Sequence, residues 1–216
     1  MRGVILILIL FFGFCSPVQA QQNQTADLGS LDSLDVKIEV LPDSSLKVEQ
    51  EFEGLTLYSS SFIWQIDAKN FDELEIEESG AKIDPKFINI QKGDLTRISF
   101  PLSYYSNTNL KISYRSINNL KMLKDKIFLK TIIFNRPGIF INQIETTLAL
   151  PDDAQNSSEA QRYYAIHGIE SANQKSEAEN ILIYNAKMAN ANSSYAIEDA
   201  FESNAIHFPL IEKAKF

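Results

Sequence analysis

Few residue types in this chain could carry chemistry, and their spacing argues against most of it. There are two histidines, His167 and His207, 40 positions apart. A zinc or copper site draws on several His or Cys ligands at close spacing, so no transition-metal centre is expected. Asp152-Asp153 is the nearest approach to a calcium loop, but it lacks the alternating acidic pattern and glycine of such loops and reads as a solvated turn after Pro151. No serine sits in a G-x-S-x-G elbow, and the 8 glycines form no phosphate-binding loop. Glu73, Glu75, Glu77 and Glu78 crowd one segment and could in principle supply an acid–base pair. On a strand, Glu73, Glu75 and Glu77 would share one face, where mutual repulsion favours solvation. An outward charged face is the simpler reading. No catalytic residue, cofactor or metal is therefore assigned.

Aromatic rings leave one further option, because their apolar faces can stack on sugar C–H groups. Trp64 follows Phe62 at a two-residue interval in an apolar run and reads as core. Tyr104, Tyr105, Tyr163 and Tyr164 remain as candidate ligand-binding residues. Tyr104 and Tyr105 would point to opposite faces of an extended segment, which leaves at least one ring for a ligand.

The N-terminus says where such a domain works. Met1-Arg2 precede an aliphatic and aromatic run from Val4 to Phe14, and Val18-Gln19-Ala20 fits the small-x-small cleavage pattern. This predicts a signal peptide over residues 1–20 and a mature start at Gln21, hence export to the periplasm, the cell surface or the medium. Cleavage removes Arg2 and takes the formal charge from −8 to −9. It also removes Cys15, the single cysteine, which excludes cysteine catalysis and disulfide staples in the remaining 196 residues. Lipid anchoring through Cys15 is the less favoured reading, since Phe12-Gly13-Phe14 precede it where small residues are required. The triplets at Asn23, Asn156 and Asn192 matter as glycosylation acceptors only on a eukaryotic secretory route. No later apolar run approaches the ~20 residues of a membrane span.

Residues 21–33 are polar and small and read as a flexible leader. Leu34, Val36, Ile38 and Val40 then alternate with Asp35, Lys37 and Glu39, the mark of a strand with one buried face. Pro42-Asp43-Ser44-Ser45 supplies a turn, and Leu46, Val48 and Phe52 resume the alternation with Gln50 as the one polar interruption. Further strands are predicted at 62–66, 74–77, 87–91, 95–100, 110–115 and 127–134. Ile139–Leu150 is expected to be the longest strand, and 163–166 and 181–184 add two more. Lys92-Gly93-Asp94 makes a second hairpin of 87–91 and 95–100. The segment 170–179 reads as a surface loop, and Tyr195–Phe201 as a short helix or turn. Closely spaced strands with turns between them predict an all-β fold, a single antiparallel β-sandwich over residues 34–209 followed by a tail at 210–216.

Several stretches share a family resemblance. "PDSSLKVEQEFE", "LKISYRS" at 110–116 and "IIFNRPGIFINQIETTLALP" at 132–151 resemble the N-terminal extracellular domain of predicted membrane proteins of unknown function, the domain-of-unknown-function-2207 family. Ser44 stands where that pattern usually has Gly, Val48-Glu49 fit it, and Phe140 stands where Trp is common. His167-Gly168 and "ILIYNAKM" at 181–188 continue the likeness. The resemblance implies a signal-led β-sandwich ectodomain and supplies no active residues. The membrane helices that usually follow in the family have no counterpart in this sequence.

Charge narrows the partners. A net negative chain lacks the basic footprint that nucleic acid or anionic lipid demands. The expected function is a non-catalytic, exported interaction or structural domain that binds a protein partner, such as an envelope or membrane protein, through a sheet face or edge. The alternative is a carbohydrate-binding module or weak polysaccharide hydrolase built on the tyrosines.

Overall fold

The alternation does fold into strands. The computed structural model describes residues 28–208 except 94, 104–105, 118, 124–125, 136, 157–161, 168, 179, 189 and 192; at 123 and 156 and along 162–178 the description is of the backbone. The strands are β1 (Gly29–Val40), β2 (Leu46–Leu57), β3 (Ser61–Ile66), β4 (Asn70–Glu78), β5 (Ala81–Lys82), β6 (Asn89–Gln91), β7 (Thr96–Pro101), β8 (Thr108–Ile117), β9 (Leu120–Leu123), β10 (Lys126–Asn135), β11 (Ile139–Ala149), β12 (Gln155–Asn156), β13 (Arg162–His167), β14 (Ile169–Ala178), β15 (Ile181–Met188) and β16 (Ser194–Glu202). A 3-10 turn at Pro85–Phe87 precedes β6.

They form three sheets. The largest has eight strands in the order β14-β15-β11-β1-β2-β8-β4-β5. A five-stranded sheet runs β12-β16-β10-β9 with β13 also on β16, and a three-stranded sheet runs β3-β7-β6. The architecture is the expected all-β sandwich. One pairing departs from the antiparallel rule: β1 runs parallel to β11, from Gly29 opposite Ile139 to Glu39 opposite Ala149.

Four local expectations are corrected. Gly29–Ser33 belong to β1 rather than to a leader, with Leu31 buried against the core. At 12 residues each, β1 and β2 exceed β11, which has 11. The polar segment 170–178 is strand β14, held by backbone pairing to β15. Tyr195–Phe201 lies in β16, not in a helix. That strand is buried on both faces, so its apolar residues do not alternate, and Ala196 and Ala200 leave room for their neighbours.

The turn joining β1 to β2 shows why glycine would suit position 44. Ser44 adopts φ 64°, the left-handed region, while the Ser45 N–H and hydroxyl both donate to Asp43 Oδ1. Within β2, Gly54 has φ 66°, and a Cβ there would lie 2.1 Å from Asp32 Oδ2 and 2.9 Å from Asp32 Cβ. This glycine makes a β-bulge against β8 between Phe52 and Leu55, which turns Leu55 and Leu57 inward after Phe52.

An aromatic chain ties the three sheets together. Phe52 of the large sheet meets Phe62 at 5.4 Å and Trp64 at 4.9 Å, both edge-on. Trp64 reaches Phe134 at 6.4 Å, and Phe134 reaches Tyr195 at 5.9 Å in the five-stranded sheet. Each buried ring contributes about 1.5–3 kcal/mol through burial, and edge-to-face contact adds ~1 kcal/mol. Trp64 is 2% exposed, and its Nε1–H donates to Gln50 Oε1 at 2.9 Å. The polar interruption of β2 is therefore the partner that lets an indole N–H be buried.

Candidate interaction surface

The four candidate tyrosines do not assemble into a described site. Tyr104 and Tyr105 lie outside the described residues. Tyr163 and Tyr164 lie on β13 as register partners of Ile197 and Ala196, and adjacent strand positions alternate between faces.

The glutamate crowd is dispersed by a bulge in β4 between Asp72 and Glu75, with Glu73 at φ 54°. Because of the extra residue, Asp72, Glu75 and Glu77 share register with Arg115, Ser113 and Lys111, and Glu73 leaves the row expected for it. Glu75 pairs with Lys82 at 2.8 Å. Glu78 turns inward and accepts the Ser103 N–H on both oxygens, at 2.9 and 3.0 Å. The two aspartates after Pro151 are structural. Asp152 Oδ1 accepts from Asn180 at 3.1 Å. Asp153 takes the Ser203 hydroxyl at 2.6 Å and the Asn204 and Ala205 N–H groups, and these bonds hold its carboxyl below the usual range, with the Ser203 bond contributing most. The His207 N–H donates to the Pro42 carbonyl, and His167 ends β13 opposite Ser194. Among the described residues no three His, Cys, Asp or Glu side chains converge on a metal-sized site, and no helix is long and apolar enough to cross a membrane.

What register does bring together is a charged row across the outer face of the large sheet. From β11 to β5 it reads Glu145, Asp35, Glu51, Lys111, Glu77, Lys82. Lys111 pairs with Glu51 at 3.2 Å and with Glu49 of the next row at 2.8 Å, and these bonds lower the Glu49 pKa and raise that of Lys111. Asp35 faces Glu145 and Glu51 directly. Burial first, then Glu53, Glu145 and Glu51, push its carboxyl above the usual range. Exposed pairs of this kind are worth ~0.2–1 kcal/mol each, so the row solubilises the face more than it holds the fold. No spacing rule finds this row, because it crosses six strands.

The surface with binding character is an arm between β4 and β7. Among the described residues of 79–95 none is buried, yet the stretch carries Ile83, Phe87, Ile88 and Ile90. Ile83 and Ile88 rest against the core, whereas Phe87 is 54% and Ile90 41% exposed. Asp84 shapes the arm, its Oδ1 accepting the Lys86 N–H at 3.0 Å ahead of the 3-10 turn. The Lys86 ammonium lies 4.8 Å from the Phe87 ring centre. Short ladders anchor both ends, β5 on β4 through two residues and β6 on β7 through three. Among the described residues β6 has no strand on its other side, so its outer main-chain groups form an open edge beside two exposed apolar side chains. The sequence predicts a strand over 87–91; the structure confines it to Asn89–Gln91, with Phe87 in the preceding 3-10 turn, and the exposure of these apolar residues follows only from the sheet order.

No family model matches this chain, and no curated protein does. Solved structures do resemble it. Yeast LTA4 hydrolase, in complex with bestatin, superposes with a TM-score of 0.50 at 15% identity, over 85% of this chain and 31% of that one. Legionella pneumophila aminopeptidase A gives 0.43 at 7% identity over 80% and 21%. A mutant M1 zinc metallopeptidase from Deinococcus radiodurans gives 0.42 at 8% over 79% and 42%. The chain thus spans less than half the length of these enzymes, and its likeness to the yeast hydrolase is one of fold.

Proposed function

We propose that this chain is an exported, non-catalytic domain of the cell envelope or exterior that binds a protein partner through the open β6 edge and the arm that carries it. The observation behind this reading is the pairing of that edge with exposed Phe87 and Ile90 on a stretch with no buried residue among those described. Edge main-chain groups supply affinity by strand addition, and flanking apolar side chains supply anchors for a partner's pockets. The charged outer face of the large sheet competes poorly for this role, since covering it would desolvate its carboxylates and ammonium groups, several of which already pair with one another. In yeast LTA4 hydrolase the same fold occupies about a third of a longer chain, which suits a domain that works in company. Export rests on the N-terminal pattern.

A photocrosslinker placed at position 90 in the full chain, and separately at position 35 on the outer face, tests the reading in native envelope material. A discrete protein adduct is expected from position 90 alone, lost when Phe87→Asp is added. Adducts of equal yield from both positions, or adducts indifferent to Phe87→Asp, would refute it.

A further inference from the structure

One acidic side chain lies sealed between the sheets with no cation to meet it among the described residues. Asp199 of β16 is 0% exposed. Its Oδ1 accepts the N–H of the next residue, Ala200, at 2.7 Å, while Oδ2 is buried without a partner of hydrogen-bond geometry. The Tyr184 hydroxyl, from β15 of the eight-stranded sheet, is the side-chain group that acts on it. Tyr184 stands beside Thr146 of β11 in the register, and Thr146 Oγ1 is buried and unpaired as well.

Among the described side chains, the charged groups of the surrounding strands lie elsewhere. Glu198 precedes Asp199 in β16 and pairs with Lys130 of β10 at 3.6 Å. Arg162 of β13 is the register partner of Glu198, not of Asp199. Glu145 of β11 belongs to the outer row beside Asp35, and Lys187 of β15 is exposed. A carboxylate in this position is shielded from solvent without a counter-ion among the described residues.

We propose that Asp199 is a proton-operated latch between the five-stranded and eight-stranded sheets. Neutral, it holds its proton on Oδ2 within the Tyr184–Thr146 polar cluster and β16 packs closed on β15; on ionising it releases that proton to solvent and the packing loosens. Burial pushes the Asp199 pKa up to about 6, against the lowering effects of the Ala200 N–H and the Tyr184 hydroxyl. A carboxyl raised on closure favours the closed form fully below its ordinary value of 3.8, and that advantage is lost as pH rises through about 6. The latch thus tightens in acid, opposite to a salt-bridged carboxylate.

Hydrogen exchange of the β15 and β16 amides, corrected for intrinsic rate, reads the latch directly. Between pH 5 and 7.5 the wild-type chain should lose about tenfold in protection there, the factor linkage gives for a two-unit shift sampled over that interval. Asp199→Asn, always neutral, should show no such loss. Tyr184→Phe removes a hydroxyl that favours the charged form, so it should move the midpoint to higher pH, and it serves as well if the Asn variant does not fold. A tenfold loss that persists in Asp199→Asn, a wild type flat over this range, or a midpoint that Tyr184→Phe leaves in place or lowers would overturn the proposal.

Discussion

Replacing Gln50 and Trp64 singly and together should reveal one buried hydrogen bond as a coupling energy. Trp64→Phe keeps an aromatic ring between Phe52 and Phe134 but strands Gln50 Oε1, which is buried and accepts from the indole at 2.9 Å. An orphaned buried acceptor costs about 1–3 kcal/mol, and the smaller ring adds a cavity cost of ~1 kcal/mol. Gln50→Leu, close in volume, strands the indole N–H instead and should cost about 1–3 kcal/mol. The double variant leaves neither group unpaired, so its loss should fall below the sum of the two by ~1–2 kcal/mol. Urea unfolding followed by far-ultraviolet circular dichroism suits all four proteins, because the single tryptophan is itself changed. Losses that simply add would refute the idea that Gln50 interrupts β2 on behalf of Trp64.

Three other changes probe local geometry. Ser44→Gly removes the cost of a left-handed serine and should stabilise by ~0.5 kcal/mol, after allowing for the greater freedom of glycine when unfolded; a lower urea midpoint would contradict it. Gly54→Ala should destabilise by about 1–3 kcal/mol, because positive φ and the close approach of Asp32 both oppose a Cβ; an unchanged melting temperature would count against the bulge as the reason for this glycine. Asp35→Asn should raise the melting temperature near pH 7. The Asp35 carboxyl is raised by folding, so its ionisation opposes the fold as pH rises, and the gain should shrink toward pH 4 and in high salt. A variant less stable than wild type at pH 7 and low salt would contradict the repulsion argument.

The strands that expose one face and bury the other were legible, because their residues alternate with the pleat. The hairpin of β1 and β2 was read from that alternation, and so was its turn. The helix suggested for 195–201 failed because a strand covered on both sides has no polar beat, and two alanines four residues apart imitate a helical period. The segment 170–178 failed for the opposite reason. An edge strand whose pairing is carried by the backbone can be polar throughout, and nothing in its composition separates it from a loop. Likewise the alternation at 87–91 signals a strand, realised at Asn89–Gln91, but not an edge, since sheet order is fixed by pairings between distant segments. The burial of Asp199 is not legible, because a buried aspartate and a surface one look alike in a sequence.

The parallel seam between β1 and β11 sets a schedule for the nascent chain. Gly29 must wait for Ile139, 110 residues downstream, before this edge of the β1–β2 hairpin is covered. Synthesis at the usual rate takes roughly 6–20 s to deliver that stretch, far longer than the microseconds in which a hairpin forms. Through that interval a long, half-apolar strand edge stands open to any other extended segment within reach. Chaperone occupancy during translation should therefore peak on chains longer than the hairpin and fall once β11 has emerged.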